Sequence, residues 1–177
     1  MQKAPSRAAP TALLAIGASL ALFLLMAIGL YLAVANHLFI FSHQTVRVVG
    51  SSMDPTLHDG QAVTLDFSAY QQHGPARGDL VMLEILPVGG YIERVIGVPG
   101  DRIRIAQGSV FINGQPLKEP YVRESWTVNN NWPRDGNDVT VPSRQYFVLG
   151  DNRNHAQDSR SRGFIELDAI AGRILPQ

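Results

Sequence analysis

The chain has 177 residues, with 15 basic and 15 acidic side chains and no cysteine. Zero net charge and the lack of any Lys/Arg run argue against nucleic acid as a partner. The missing cysteines exclude disulfides, thiolate metal sites and Cys nucleophiles. Its Asp and His residues are scattered without the close spacing of a metal motif, so no metal or other cofactor is expected.

The N-terminal "MQKAPSRAAP" (1–10) carries Lys3, Arg7 and the terminal amine with no acid. Residues 11–35, "TALLAIGASLALFLLMAIGLYLAVA", hold no charge over 25 positions. A bilayer core takes about 20 apolar residues of helix, so this segment is long enough to span. Positive residues tend to stay cytoplasmic. That predicts a cytoplasmic tail over 1–10, a single-pass signal anchor over 11–35 and an extracytoplasmic domain over 36–177. "AVA" at 33–35 also resembles the cleavage site of a signal peptide. The apolar region of such a peptide runs to roughly 7–15 residues, however, and the greater length here favours a permanent anchor.

From Phe39 onward the pattern alternates. Runs at 44–50, 61–67, 78–85, 90–98, 101–107, 109–117 and 144–150 read as short strands. The turn sequences "HDG", "GPARG", "PVGG", "VPGD" and "NG" bound them. Asn113-Gly114 predicts a tight hairpin, since both residues can take positive φ. The polar stretch 121–142, with Trp126 and Trp132, reads as a long loop or extended hairpin. The tail "ELDAIAGRI" (166–174) reads as a short helix. Together these predict a mainly β fold, an N-terminal transmembrane helix followed by an antiparallel β-sandwich or partly closed barrel.

Taken alone, the serine in "GSSMDPTLHDG" (50–60) is better explained by turn chemistry at a strand end than by catalysis. It stands in an ordered series: "GSSMDPTL", "RGDLVML" (77–83), "YIERVIGVPGD" (91–101) and "GDNRNHAQDSRSRGFI" (150–165). This series strongly resembles the successive sequence boxes of bacterial type I signal peptidases, with "INGQPLKEPYV" (112–122) fitting as well. The resemblance runs from the anchor to about Ile174 and implies a mostly β serine endopeptidase held in the cell membrane, its catalytic domain on the outer side. Such an enzyme removes signal peptides from exported preproteins after small-x-small sites. Preproteins and the lipid bilayer are the implied partners.

The resemblance assigns Ser52 as nucleophile, followed by Met53. It assigns the oxyanion hole to the Ser52 N–H, with a second donor at the position of Gly50, which has no side chain to offer. Arg94, Asp151, Asn152, Arg153, Asp158, Ser159 and Arg160 match family positions and are read as a supporting lattice of ion pairs and hydrogen bonds, although turn capping by Asp and Asn would leave the same pattern.

Two positions depart from the family pattern. Where it has a general-base lysine, this chain has Glu93; where it usually has the serine that holds the lysine amine, this chain has Ala156. The only lysines are Lys3 and Lys118, and neither is at a motif position. Alternation points Glu93 where the lysine would point. An anion about 4 Å from developing negative charge costs about 4 kcal/mol at an effective dielectric of 20, roughly a thousandfold in rate. His155, next to Ala156, is a candidate substitute base if Glu93 orients its ring, and a solvent-facing loop residue otherwise. Three readings follow: an active peptidase with an altered base, a pseudoprotease that binds exported segments without cutting them, or an ordinary enzyme inactivated by two introduced changes.

Overall fold

The computed structural model describes residues 10–85, 89–124, 126 and 132–176. The tail 1–9, the first half of "PVGG" and the centre of the 121–142 loop lie outside the described residues. Contacts divide the chain after Phe41 into a helical unit and a β unit.

Helix α1 runs Pro10–Ser42, with no acid in its first turn and no base in its last. Side chains are described over 20–35, and all are exposed, including Phe23, Leu25, Leu30 and Tyr31. Among the described residues no helix is long and apolar enough to cross a membrane.

The β unit is built from two antiparallel sheets. Strands β1 (His43–Arg47), β2 (Ala62–Asp66), β3 (Leu80–Ile85) and β4 (Gly89–Gly97) follow the predicted runs closely. So do β5 (Arg102–Ala106), β6 (Ser109–Ile112), β7 (Gln115–Pro116) and β9 (Gln145–Leu149). The Asn113-Gly114 turn joins β6 to β7 with positive φ at both residues (53° and 83°), as a tight hairpin requires. Pro116 is tolerated because β7 is an edge strand and its missing N–H costs no ladder bond. Strand β8 (Asp138–Thr140) pairs with β5 and lies inside the segment read as a long loop or extended hairpin.

The tail corrects the sequence reading. Instead of a helix it forms β10 (Ile165–Glu166), a single 3-10 turn (Leu167–Ala169) and β11 (Ile170–Leu175). Strand β11 pairs on one side with β2 and on the other with β3, so both of its backbone edges are satisfied inside the sheet. That pairing outweighs the local helical preference of "DAIA". The larger sheet has the order β1-β2-β11-β3-β4-β9-β10, and the smaller one β7-β6-β5-β8.

Three apolar clusters fill the unit. One, with Ile96, Ile103, Ile105, Phe147 and Leu149, joins residues of both sheets. A second packs Met53 and Leu57 against Val63, Leu65, Leu80 and Ile174. A third, with Val81, Leu83, Val95 and Val148, lies along β3, β4 and β9.

Candidate active site

Ser52 sits in the turn that follows β1. Gly50 opens it at φ +88°, a backbone region L side chains rarely adopt, and its N–H donates to Asp59 Oδ1 at 2.8 Å. Met53 and Leu57 are both fully buried and bridged by a Leu57 N–H to Met53 carbonyl bond of 2.9 Å. These two side chains pin the turn to the apolar cluster while Ser52 stays half-buried. From the end of β9, Asn152 closes over it. Its N–H donates to the Ser52 carbonyl at 2.9 Å and its Nδ2 to the Ser51 carbonyl at 3.0 Å.

Glu93 lies mid-way along β4, opposite Val81 in the register with β3. It is only 1% exposed, and neither carboxyl oxygen has a hydrogen-bond partner among the described residues. Buried polar groups are nearly always paired, so this carboxyl is a marked exception. Burial, reinforced by the Asp158 carboxylate and more weakly by Asp151, pushes its pKa up to about 9 against the opposing pull of Arg160 and Arg162. At neutral pH Glu93 is therefore an uncharged acid.

Gly150 shows how closely these groups meet. A methyl placed there would lie 2.4 Å from Ala156 Cβ, 2.8 Å from the Ser52 carbonyl oxygen and 3.2 Å from Glu93 Oε2. The nucleophile turn, the family's lysine position and the residue expected to orient that lysine thus converge on one backbone point.

The residues read as a supporting lattice make the following contacts. Arg94 makes a two-pronged pair with Asp151 (Nε to Oδ1 2.8 Å, Nη2 to Oδ2 2.6 Å) and lies over the Tyr121 ring at 4.0 Å. The Thr56 hydroxyl donates to the same Asp151, tying the nucleophile turn to the pair. Asp158 caps helix α2 (Ser159–Arg162) through the Arg160 N–H, accepts from the Arg160 guanidinium at 2.9 and 2.8 Å, and takes the Gly150 N–H at 3.1 Å. Ser159 Oγ accepts from the Val148 N–H at 2.9 Å. Arg153 donates to the Gly150 carbonyl at 2.9 Å and pairs with Glu119 at 2.5 Å.

The sequence model of the family described as "Signal peptidase, peptidase S26" matches residues 19–176. The chain belongs to that signal peptidase family. It is 32% identical to signal peptidase IB of Staphylococcus aureus over 148 residues, covering 77% of this chain and 76% of that one. It is also 32% identical to a probable signal peptidase I-2 of Synechocystis over 167 residues, 90% of this chain and 70% of that one. A solved signal peptidase I from Enterococcus faecalis aligns with a TM-score of 0.49 at 30% identity, over 57% of this chain and 97% of that chain.

Against the signal peptidase pattern, His155 is the outlier. It is exposed, its own N–H donates to the Asn152 carbonyl, and the Glu93 oxygens have no partner among the described residues. A Ser52-His155-Glu93 relay is not assembled in this structure. Gly50 is likewise unavailable as a second backbone donor, because its N–H is bound by Asp59. Motif reading missed Gly150 as the wall of the site, and missed Thr56 and Glu119 as partners of the lattice. Gly150 stands inside a motif already singled out. Thr56 and Glu119 also stand in matched motifs, but nothing local pairs Glu119 with Arg153, 34 residues away. The Asp54 and His58 side chains, assigned no role from sequence, meet at 2.6 Å.

Proposed function

We propose that this chain is a membrane-anchored member of the signal peptidase family that receives the signal-peptide ends of exported preproteins at the outer face of the membrane, and that it is impaired in cutting them at neutral pH. The observation that carries this reading is Glu93, buried without a partner beside Ser52 and Ala156. An apolar pocket favours the uncharged form of whatever it holds. For a lysine the uncharged form is a base; for Glu93 it is an acid already carrying its proton. Ser52 then has a supporting lattice around it but, among the described residues, no group to accept its hydroxyl proton. For the anchor, support comes from the uncharged run 11–35, the basic tail before it and the exposed apolar side chains of α1.

The test uses the full chain in detergent with a preprotein bearing an Ala-x-Ala site. We expect preprotein to cross-link to the unaltered chain without Ser52-dependent cleavage at pH 7. Glu93→Lys/Ala156→Ser should restore cleavage by at least roughly a thousandfold, and Ser52→Ala should abolish it again. Neutral-pH cleavage by the unaltered chain that disappears in Ser52→Ala would reject the reading and establish an altered-base peptidase instead.

A further inference from the structure

One residue holds both peptide planes that flank Ser52. The Asn152 side chain donates to the Ser51 carbonyl at 3.0 Å, and the Asn152 N–H donates to the Ser52 carbonyl at 2.9 Å. The Ser51–Ser52 bond is trans, since the cis bonds are Asp54-Pro55 and Trp132-Pro133. In a planar trans peptide the C=O and the next N–H point in opposite directions. The Ser51 carbonyl also accepts the Asp54 N–H at 3.1 Å from within the turn; the Asn152 amide is its second donor, from outside the turn, and holding the carbonyl toward it aims the Ser52 N–H away, where that N–H has no hydrogen-bond partner among the described residues. An N–H free beside a nucleophilic oxygen and locked in direction has the geometry that stabilises an oxyanion. The neighbouring candidate, the Gly50 N–H, already serves Asp59.

We propose that Asn152 is a positioning residue for the tetrahedral state at Ser52, setting the direction of the Ser52 N–H through the Ser51 carbonyl. The proposal rests on Ser52 being the nucleophile of the reading above. It requires no base, so the oxyanion geometry persists even with Glu93 in place of a lysine.

A boronic acid separates this geometry from proton abstraction. The probe is an Ala-x-Ala peptide whose last carbonyl is replaced by boron, compared with the same peptide as its amide. Ser52 Oγ donates a lone pair to boron, the O–B bond forms, the O–H bond breaks, and the proton passes to water. The resulting anionic tetrahedral boronate, its formal charge on boron, places a boron-bound hydroxyl oxygen where an oxyanion would lie.

Affinities are measured on the full chain in detergent. The unaltered chain should bind the boronate at least about tenfold more tightly than Ser52→Ala does. Asn152→Ala should weaken boronate binding by about tenfold. Asn152→Asp should weaken it at least as much, because a carboxylate of the same shape cannot donate to the Ser51 carbonyl. The amide should bind all the variants within about twofold, which also reports that they are folded. Equal losses for boronate and amide, unchanged boronate binding in Asn152→Asp, or no boronate preference over Ser52→Ala would each overturn the proposal. Preprotein cleavage by the unaltered chain bears only on the loss of the base, so the two ideas fail separately.

Discussion

Glu93 and a lysine respond to the same walls in opposite ways, and the consequence reaches stability as well as chemistry. Its pKa rises from an ordinary 4.5 to about 9 on folding. Between those values the folded chain keeps a proton that the unfolded chain has lost, so stability falls as pH rises through the window. One such group gives a slope of about 1.4 kcal/mol per pH unit. Urea titrations of the β unit between pH 5 and pH 9 should show this decline, and Glu93→Gln, neutral at every pH, should flatten it. A Glu93→Gln profile as steep as that of the unaltered chain would show that another group is responsible. For His155, exposed and making no hydrogen bond to the Glu93 oxygens, His155→Ala in the Glu93→Lys/Ala156→Ser background should change cleavage rates by less than about twofold. Motif order in the sequence located Ser52 and Glu93 and exposed the change of residue type. It could not reveal whether Glu93 had a partner, because that depends on side chains brought in from β9 and α2.

At the scale of elements, the site is a junction between the turn after β1, the middle of β4 and the segment running from β9 into α2. Gly150 is the closest approach. Gly150→Ala forces a methyl against the Ser52 carbonyl at 2.8 Å and Ala156 Cβ at 2.4 Å, and should cost about 1–3 kcal/mol by urea denaturation. Asp158 joins the helix cap, the Gly150 N–H and the buried Arg160 guanidinium. Asp158→Ala leaves that guanidinium without its carboxylate and should cost about 3–5 kcal/mol, read the same way. Strands with clean alternation, such as "AVTLD" and "RIRIA", were legible because each buries one face. The tail was not, since "ELDAIAGRI" has no strict period of two and its two partner strands stand about a hundred residues earlier in the chain. Strand β8 was hidden for a similar reason: three residues are too few to show a period.

For the whole molecule, the helical unit and the β unit carry separate tasks. The β unit has its own apolar clusters and a continuous seven-stranded sheet. Residues 42–177 alone should therefore fold with an unchanged urea midpoint, yet fail to float with liposomes that carry the full chain. Flotation of the shortened protein to the same extent would remove the anchor assignment. The position of β11 has a further outcome. Strand β11 is third in the order of the large sheet, between β2 and β3, which stand much earlier in the chain. Until it docks, those two strands have facing edges with nothing between them, and the Ile174 side chain is missing from the cluster that seats Met53. The cluster that seats the Ser52 turn is therefore complete only once β11 has docked between two strands made much earlier.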